Sequence, residues 1–219
     1  VFDRQLTHLA LLVLLLAGLY AVIGDNALRG QWLGVDTKRW IMCATVVPIL
    51  HQVYVWFAWR SEEYHQWFSR RFGSRAFPVY GVIFMMLLLS RLLSVLALAI
   101  ANRGTIGFSS TAGWMLSLSL GIPVVYLFYS VARYFTFRRA MGIDHFDASY
   151  RALPLVRQGI FRFSPNAMYV FGFLVLWIPG FVLRSEAALW LALFNHLYIW
   201  VHYYTIELPD LRRLYKPSV

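Results

Sequence analysis

The chain has 219 residues, 60% of them hydrophobic, with a mean hydropathy of +0.59, so lipid rather than water is its expected solvent. Its net charge of +10 lies between apolar runs and not on a soluble basic module, which argues against nucleic acid and points to anionic lipid headgroups as a partner. With Cys43 the sole cysteine, an intramolecular disulfide and a multi-cysteine metal site are excluded, and no metal is expected.

Six transmembrane helices are predicted in chain order, at 6–23, 40–59, 77–101, 112–135, 168–183 and 187–206. The expected fold class is an all-α integral membrane protein. Strands are not expected, because a lipid-exposed span must be helical or part of a closed barrel, and these continuous apolar runs lack a barrel's alternation. The sequence opens on Val1 rather than methionine, compatible with a missing natural start. The first run reads as a retained helix, since residues 24–29 offer no small-x-small cleavage site. The first two spans read as an N-terminal addition, 1–76, serving packing or oligomerisation, joined to a membrane core, 77–219.

An even number of spans puts both termini, the 60–76 loop and the 136–167 loop on one side. That side carries 14 of the Lys and Arg residues and the other side 5, with Arg91 inside a span, so both termini are predicted to be cytoplasmic. His51, in the second span, reads as a satisfied packing histidine, and Glu62, Glu63 and His65 read as a solvated loop. Arg91, near the middle of the third span, is too costly there to face lipid alone, and it is a candidate anchor for a substrate headgroup.

The fifth span ends at Pro179-Gly180, and only 183–186 turn the chain into the sixth, which predicts a tight antiparallel hairpin. The segment entering it and the segment leaving it therefore return to the same side. Along the sixth span His196, Trp200, Tyr203 and Glu207 fall at i, i+4, i+7 and i+11, one stripe that can line one cavity. His196 lies about 16 Å from Glu207 at 1.5 Å per residue, so the two can touch one long cofactor but not one atom. His202 lies on the neighbouring stripe with Asn195 and is a second candidate for a substrate or proton contact.

The segments flanking the hairpin read GIFRFSPNAMY (Gly159 to Tyr169) and ELPDLRRLY (Glu207 to Tyr215). Together they resemble the C-terminal signature of the integral-membrane methyltransferases, the group holding phosphatidylethanolamine N-methyltransferases and isoprenylcysteine carboxyl methyltransferases. In that signature G-x-[FY]-R-[FY]-[ST]-R-[HN]-P-x-Y precedes E-E-P-x-L-x-x-x-[FY]-G. The resemblance implies S-adenosylmethionine as cofactor, a cytoplasmic cofactor pocket and a membrane lipid as substrate. It places Glu207 at the family's first Glu, with Pro209, Leu211 and Tyr215 at later positions, and gives Glu207 a role on a cofactor hydroxyl or ammonium. Arg162 suits the cofactor carboxylate or a lipid phosphate, Gly159 a tight turn, and Asn166 and Tyr169 match family positions. His196 and Tyr203 join the cofactor set, and His196 and Glu207 are the catalytic candidates, as acceptors of the proton lost by the nucleophile.

The bland readings are a headgroup-solvated Glu207 paired to Arg212 or Arg213 and a snorkelling Arg162. Pro165, Ala167, Leu208 and Lys216 stand where the family pattern has Arg, Pro, Glu and Gly. The spelling lies nearer the branch that methylates phospholipid amines, so a phosphatidylethanolamine-like amine is the first substrate expected. Isoprenylcysteine-type carboxyl or thiol methylation, a catalytically silent lipid-binding or partner-binding homologue, and a sterol or enone reductase stay as alternatives. Homo-oligomerisation is left open.

Overall fold

The computed structural model describes residues 2–215. Lys216, counted in the charge bias and in the second motif, lies outside the described residues. Among the described residues four helices are long and apolar enough to cross a membrane: Gln5–Val22, Thr37–His65, Trp67–Ala101 and Ser110–Phe135. This is a helical membrane protein.

Helix α1 (Gln5–Val22) leads through a short turn to a two-residue β-hairpin, β1 (Gln31–Trp32) against β2 (Val35–Asp36), outside the spans. This hairpin departs from the expectation of no strands; its backbone groups need no bilayer partner because it lies between helix ends. Helix α2 (Thr37–His65) starts three residues before the predicted span because Asp36 Oδ1 accepts the Arg39 N–H at 2.8 Å, a side-chain cap that hydropathy does not register. It also runs past 59. Arg60, predicted to lie in the 60–76 loop, and Glu62, predicted to be solvated there, are helical and buried, with Glu62 accepting the backbone N–H groups of Phe68 and Ser69 at 2.9 and 3.1 Å to start the next short helix. Helix α3 (Ala76–Ala101) and helix α4 (Ser110–Ser130) follow, the latter capped by Ser109 and ending in a wide π-turn over Val131–Phe135.

The fifth predicted span is not one regular helix. It unwinds into a π-turn (Met168–Gly172), a 3-10 turn (Phe173–Leu176) and the five-residue helix α5 (Ile178–Val182), where Pro179 has no N–H to donate. Helix α6 (Glu186–His202) is capped by Ser185, widens into a third π-turn at Tyr203–Glu207, and is followed by α7 (Leu208–Leu214).

Polar side chains tie the two ends of the bundle. At one end Asn102, 1% exposed, donates to the carbonyls of Asn26 and Arg29, both at 2.9 Å, and accepts from Thr105 Oγ1, Ser185 Oγ and the Ala187 N–H, each at 3.0 Å. One side chain thus joins three connections. Asn102→Ala is expected to cost about 2–3 kcal/mol in chemical unfolding, since the freed groups lose their partners in a buried setting. At the other end His8 bridges Thr205 Oγ1 (2.8 Å) and Tyr198 Oη (3.0 Å), and Arg60 pairs with Asp210 at 3.1 Å, with both side chains fully buried. The first two helices are therefore locked to the C-terminal hairpin by bonds spanning 145 to 197 positions of sequence.

Candidate active site

The hairpin returns the two motif segments to each other: the Tyr169 hydroxyl donates to the Glu207 carboxylate. Around that bond the Tyr169 ring packs on Tyr203 at 5.7 Å and on Trp200 at 6.0 Å. Phe173, four residues on, meets His196 at 5.8 Å, and the Trp177 indole N–H donates to His196 Nδ1 at 3.2 Å. The 196–207 stripe thus faces a matching stripe on the 168–182 arm along the hairpin seam. At its upper end that seam carries a carboxylate and three aromatic rings; at its lower end the imidazole lone pair is committed to Trp177.

Glu207 lies one residue past the predicted sixth span. Burial pushes its carboxyl up to about 7; the Tyr169 bond works the other way, and the Asp144 and Asp210 carboxylates add to the rise. Asp144 sits on the loop after α4, where its Oδ2 accepts the Tyr215 hydroxyl at 3.0 Å and its carbonyl accepts Arg151 Nε at 2.8 Å. That loop is pinned to α2: Gly142 has φ +79°, and a Cβ there would stand 2.5 Å from the Trp59 ring, on which His145 stacks at 4.2 Å. Arg212 and Arg213 do not pair with Glu207. Arg213 binds Asp210 (2.6 Å) and Glu63 (3.2 Å), so Glu63, predicted to be solvated, is part of an ion-pair cluster.

The other motif residues are spread out. Gly159 turns the chain at φ +60° against α4, where Ser130 Oγ accepts the Ile160 N–H at 3.0 Å and would stand 2.5 Å from a Cβ at 159. Gly159→Ala is expected to cost about 1–3 kcal/mol through strained backbone and this clash, read as a lower unfolding midpoint. Arg162 is exposed with its guanidinium over Phe163 at 4.6 Å, and Asn166 opens the π-turn by accepting the Tyr169 and Val170 N–H groups at 2.9 and 3.0 Å. Neither side chain meets Glu207 in a described contact.

Beside the seam is a cavity of about 400 Å³ walled by α2, α3, α4, the 137–141 turn, the 168–176 arm and α6. Tyr169 lines it, so one residue is shared between the cavity and the Glu207 cluster. Of the predicted substrate residues, Arg91 and His202 both line it, whereas His196, Tyr203 and Glu207 do not. Arg91 is held by Asn195 Oδ1 at 2.5 Å; Asn195 lies twelve residues before Glu207, about 18 Å along the helix. His202, five residues before Glu207, lies about 7.5 Å along it.

His51 also lines the cavity, and neither ring nitrogen has a hydrogen-bond partner among the described residues, so the satisfied packing histidine predicted for this position is corrected to an unsatisfied cavity-lining one. Its role, and that of Trp59, lay beyond sequence reasoning because they come from a helix far from both motifs; the signal available was an ionisable residue inside a span.

Among known proteins, a family model described as phospholipid methyltransferase matches residues 108–218, half of the chain, taking in α4, the following loop, the hairpin and both motif segments. No curated protein and no solved structure matches.

Proposed function

Because the chain belongs to the phospholipid methyltransferase family, we propose that it transfers a methyl group from S-adenosylmethionine to a lipid amine, phosphatidylethanolamine or a close relative. The observation that carries this reading is the Tyr169–Glu207 bond, which brings the two motif segments into one cluster of a carboxylate and aromatic rings. That donor set fits the cofactor: a carboxylate suits its ammonium or ribose hydroxyls, and aromatic faces suit a sulfonium.

S-adenosylmethionine supplies a methyl group on a sulfonium, and the chain's tasks are alignment, exclusion of water and acceptance of a proton. Glu207 holds the cofactor's polar end and, with a carboxyl titrating near neutral pH, is placed to take the proton an attacking amine gives up. His196, its lone pair given to Trp177, positions the seam; Tyr203 and Tyr169 supply ring faces, with Arg162, Asn166 and the Gly159 turn bounding the cofactor side. His202 serves the substrate head across Tyr169; Arg91, expected as a headgroup anchor, is held by Asn195 about 18 Å along the helix from Glu207, too far to share that head. The lipid side and the cofactor side meet at Tyr169.

In this reading the chain crosses the membrane six times with both termini and the Glu207 cluster cytoplasmic, the side where the cofactor is made. Residues 1–76 are an addition to a 77–219 core that supplies the Arg60 lock and the His51–Trp59 wall of the cavity. A silent homologue is the second reading, favoured by Pro165, Ala167 and Leu208. Proteoliposomes given cofactor with a deuterated methyl group decide between them: labelled methyl on phosphatidylethanolamine is expected, and cofactor binding without labelled lipid, or no cofactor binding at all, would defeat the enzymatic reading.

A further inference from the structure

The cavity wall carries buried polar atoms that find no hydrogen-bond partner among the described residues. His51 (3% exposed) has both ring nitrogens unpartnered, Arg91 (2%) has Nη2 free, and His202 (2%) has Nδ1 free. Buried donors without acceptors are rare in native proteins unless a ligand or water completes them. Arg91 is also aimed: Nε is fixed on Asn195 Oδ1, Asn195 is itself fixed on the Leu191 carbonyl at 2.7 Å, and the guanidinium lies over Phe173 at 4.8 Å. Among the described residues no carboxylate pairs with it. The rest of the wall is apolar, with Phe84, Leu88, Leu127 and Leu176 among its members.

Two wall residues, Met85 on α3 and Phe128 on α4, are also 40% and 51% exposed, so the cavity wall reaches the apolar outer surface of those two helices. We propose that this cavity binds a long-chain carboxylate from the bilayer, its carboxylate seated on the free edge of Arg91 with His51 and His202 beside it.

Arginine offers only donors, in a planar fork that matches a carboxylate, and a neutral imidazole adds one more N–H. About 400 Å³ is at the low end of small-molecule sites, roughly 300–1,000 Å³, which suits one chain. Depth selects the source. Arg91 is fifteen residues from one end of α3 and ten from the other, about 22 and 15 Å, which puts it near mid-membrane in hydrocarbon about 30 Å thick. That is deeper than a phospholipid phosphate at either surface, while a carboxylic acid can cross hydrocarbon uncharged and ionise at the cation. The bound acid is distinct from the lipid methylated near Glu207, the two share His202 as a neighbour, and the inference does not depend on methyl transfer.

The test uses the full chain in phosphatidylcholine nanodiscs, with ¹³C-carboxyl palmitate as probe and hexadecanol and hexadecyl phosphate as competitors. Palmitate is expected to bind with a shifted carboxyl resonance, to weaken at least tenfold in Arg91→Gln, and to resist both competitors. Should Arg91→Gln not fold, Leu88→Trp fills the cavity and is expected to abolish binding. Equal palmitate affinity in either folded variant, displacement by hexadecanol, or tighter binding of hexadecyl phosphate would overturn the proposal. Calorimetry of S-adenosylmethionine on the parent protein reads the methyl-transfer assignment separately, so the two can fail independently.

Discussion

Asp210→Ala is expected to lower the unfolding free energy by about 3–5 kcal/mol, because it strands a cation in the interior. The Arg60 and Asp210 side chains are both 0% exposed, and Asp210 accepts from Arg60 Nε at 3.2 Å and from Arg213 Nη2 at 2.6 Å. Arg60 also donates to the carbonyl of Asp3 at 2.7 Å and of Thr205 at 3.4 Å, so it cannot swing to solvent without releasing both chain ends. Removing one member of such a pair leaves the other without compensation, whereas an exposed ion pair is worth at most about 1 kcal/mol. Replacing both members at once, Arg60→Met with Asp210→Leu, is expected to recover most of the loss. Reversible unfolding in mixed micelles measures all three proteins, and a loss below about 1 kcal/mol for Asp210→Ala would show that the pair is solvated.

Glu207→Gln is expected to weaken S-adenosylmethionine binding by about 10- to 150-fold, the equivalent of a hydrogen bond to a charged group, roughly 1.5–3 kcal/mol. The amide can still accept the Tyr169 hydroxyl, so the fold is expected to survive and the effect to be local. pH gives a second readout. The folded carboxyl titrates near 7, raised from 4.5 chiefly by burial, so it is protonated below that value and ionised above it. A cationic ligand group is held by the ionised form; affinity is therefore expected to fall as pH drops through about 7 in the parent and to stay level in the variant. Calorimetry from pH 6 to 8.5 would show it, and a flat profile in the parent would remove Glu207 from the cofactor contact.

Much of this was legible in the sequence. Apolar runs located the long helices because nothing else in the chain is long enough to cross a bilayer, and the brevity of 183–186 forced Tyr169 and Glu207 together. Helix ends were misjudged where a single side chain decides them, as Asp36 does for α2. The broken arm at 168–182 reads as an ordinary span because π and 3-10 turns leave no mark on hydropathy. Asn102 and Asp210 were passed over for a different reason: a polar residue at a helix end looks solvated until its partners, some 75 to 150 positions away, are known. The cavity was illegible for the same reason, since His51, Arg91 and His202 come from three helices and share no motif.

The brevity of the 168–182 arm has a consequence for the surrounding bilayer. Its residues extend about 22 Å, against hydrocarbon of about 30 Å, whereas α6 beside it continues through the Tyr203–Glu207 π-turn into α7. Lipid next to this arm is expected to thin by a few ångströms, while the 29 residues of α2 on another flank can tilt. Headgroups are then drawn inward at the edge where Tyr169 and Glu207 meet. A dimpled leaflet at that rim would shorten the climb of a polar amine toward its reaction partner, and membranes of thicker lipids should slow turnover for that geometric reason alone.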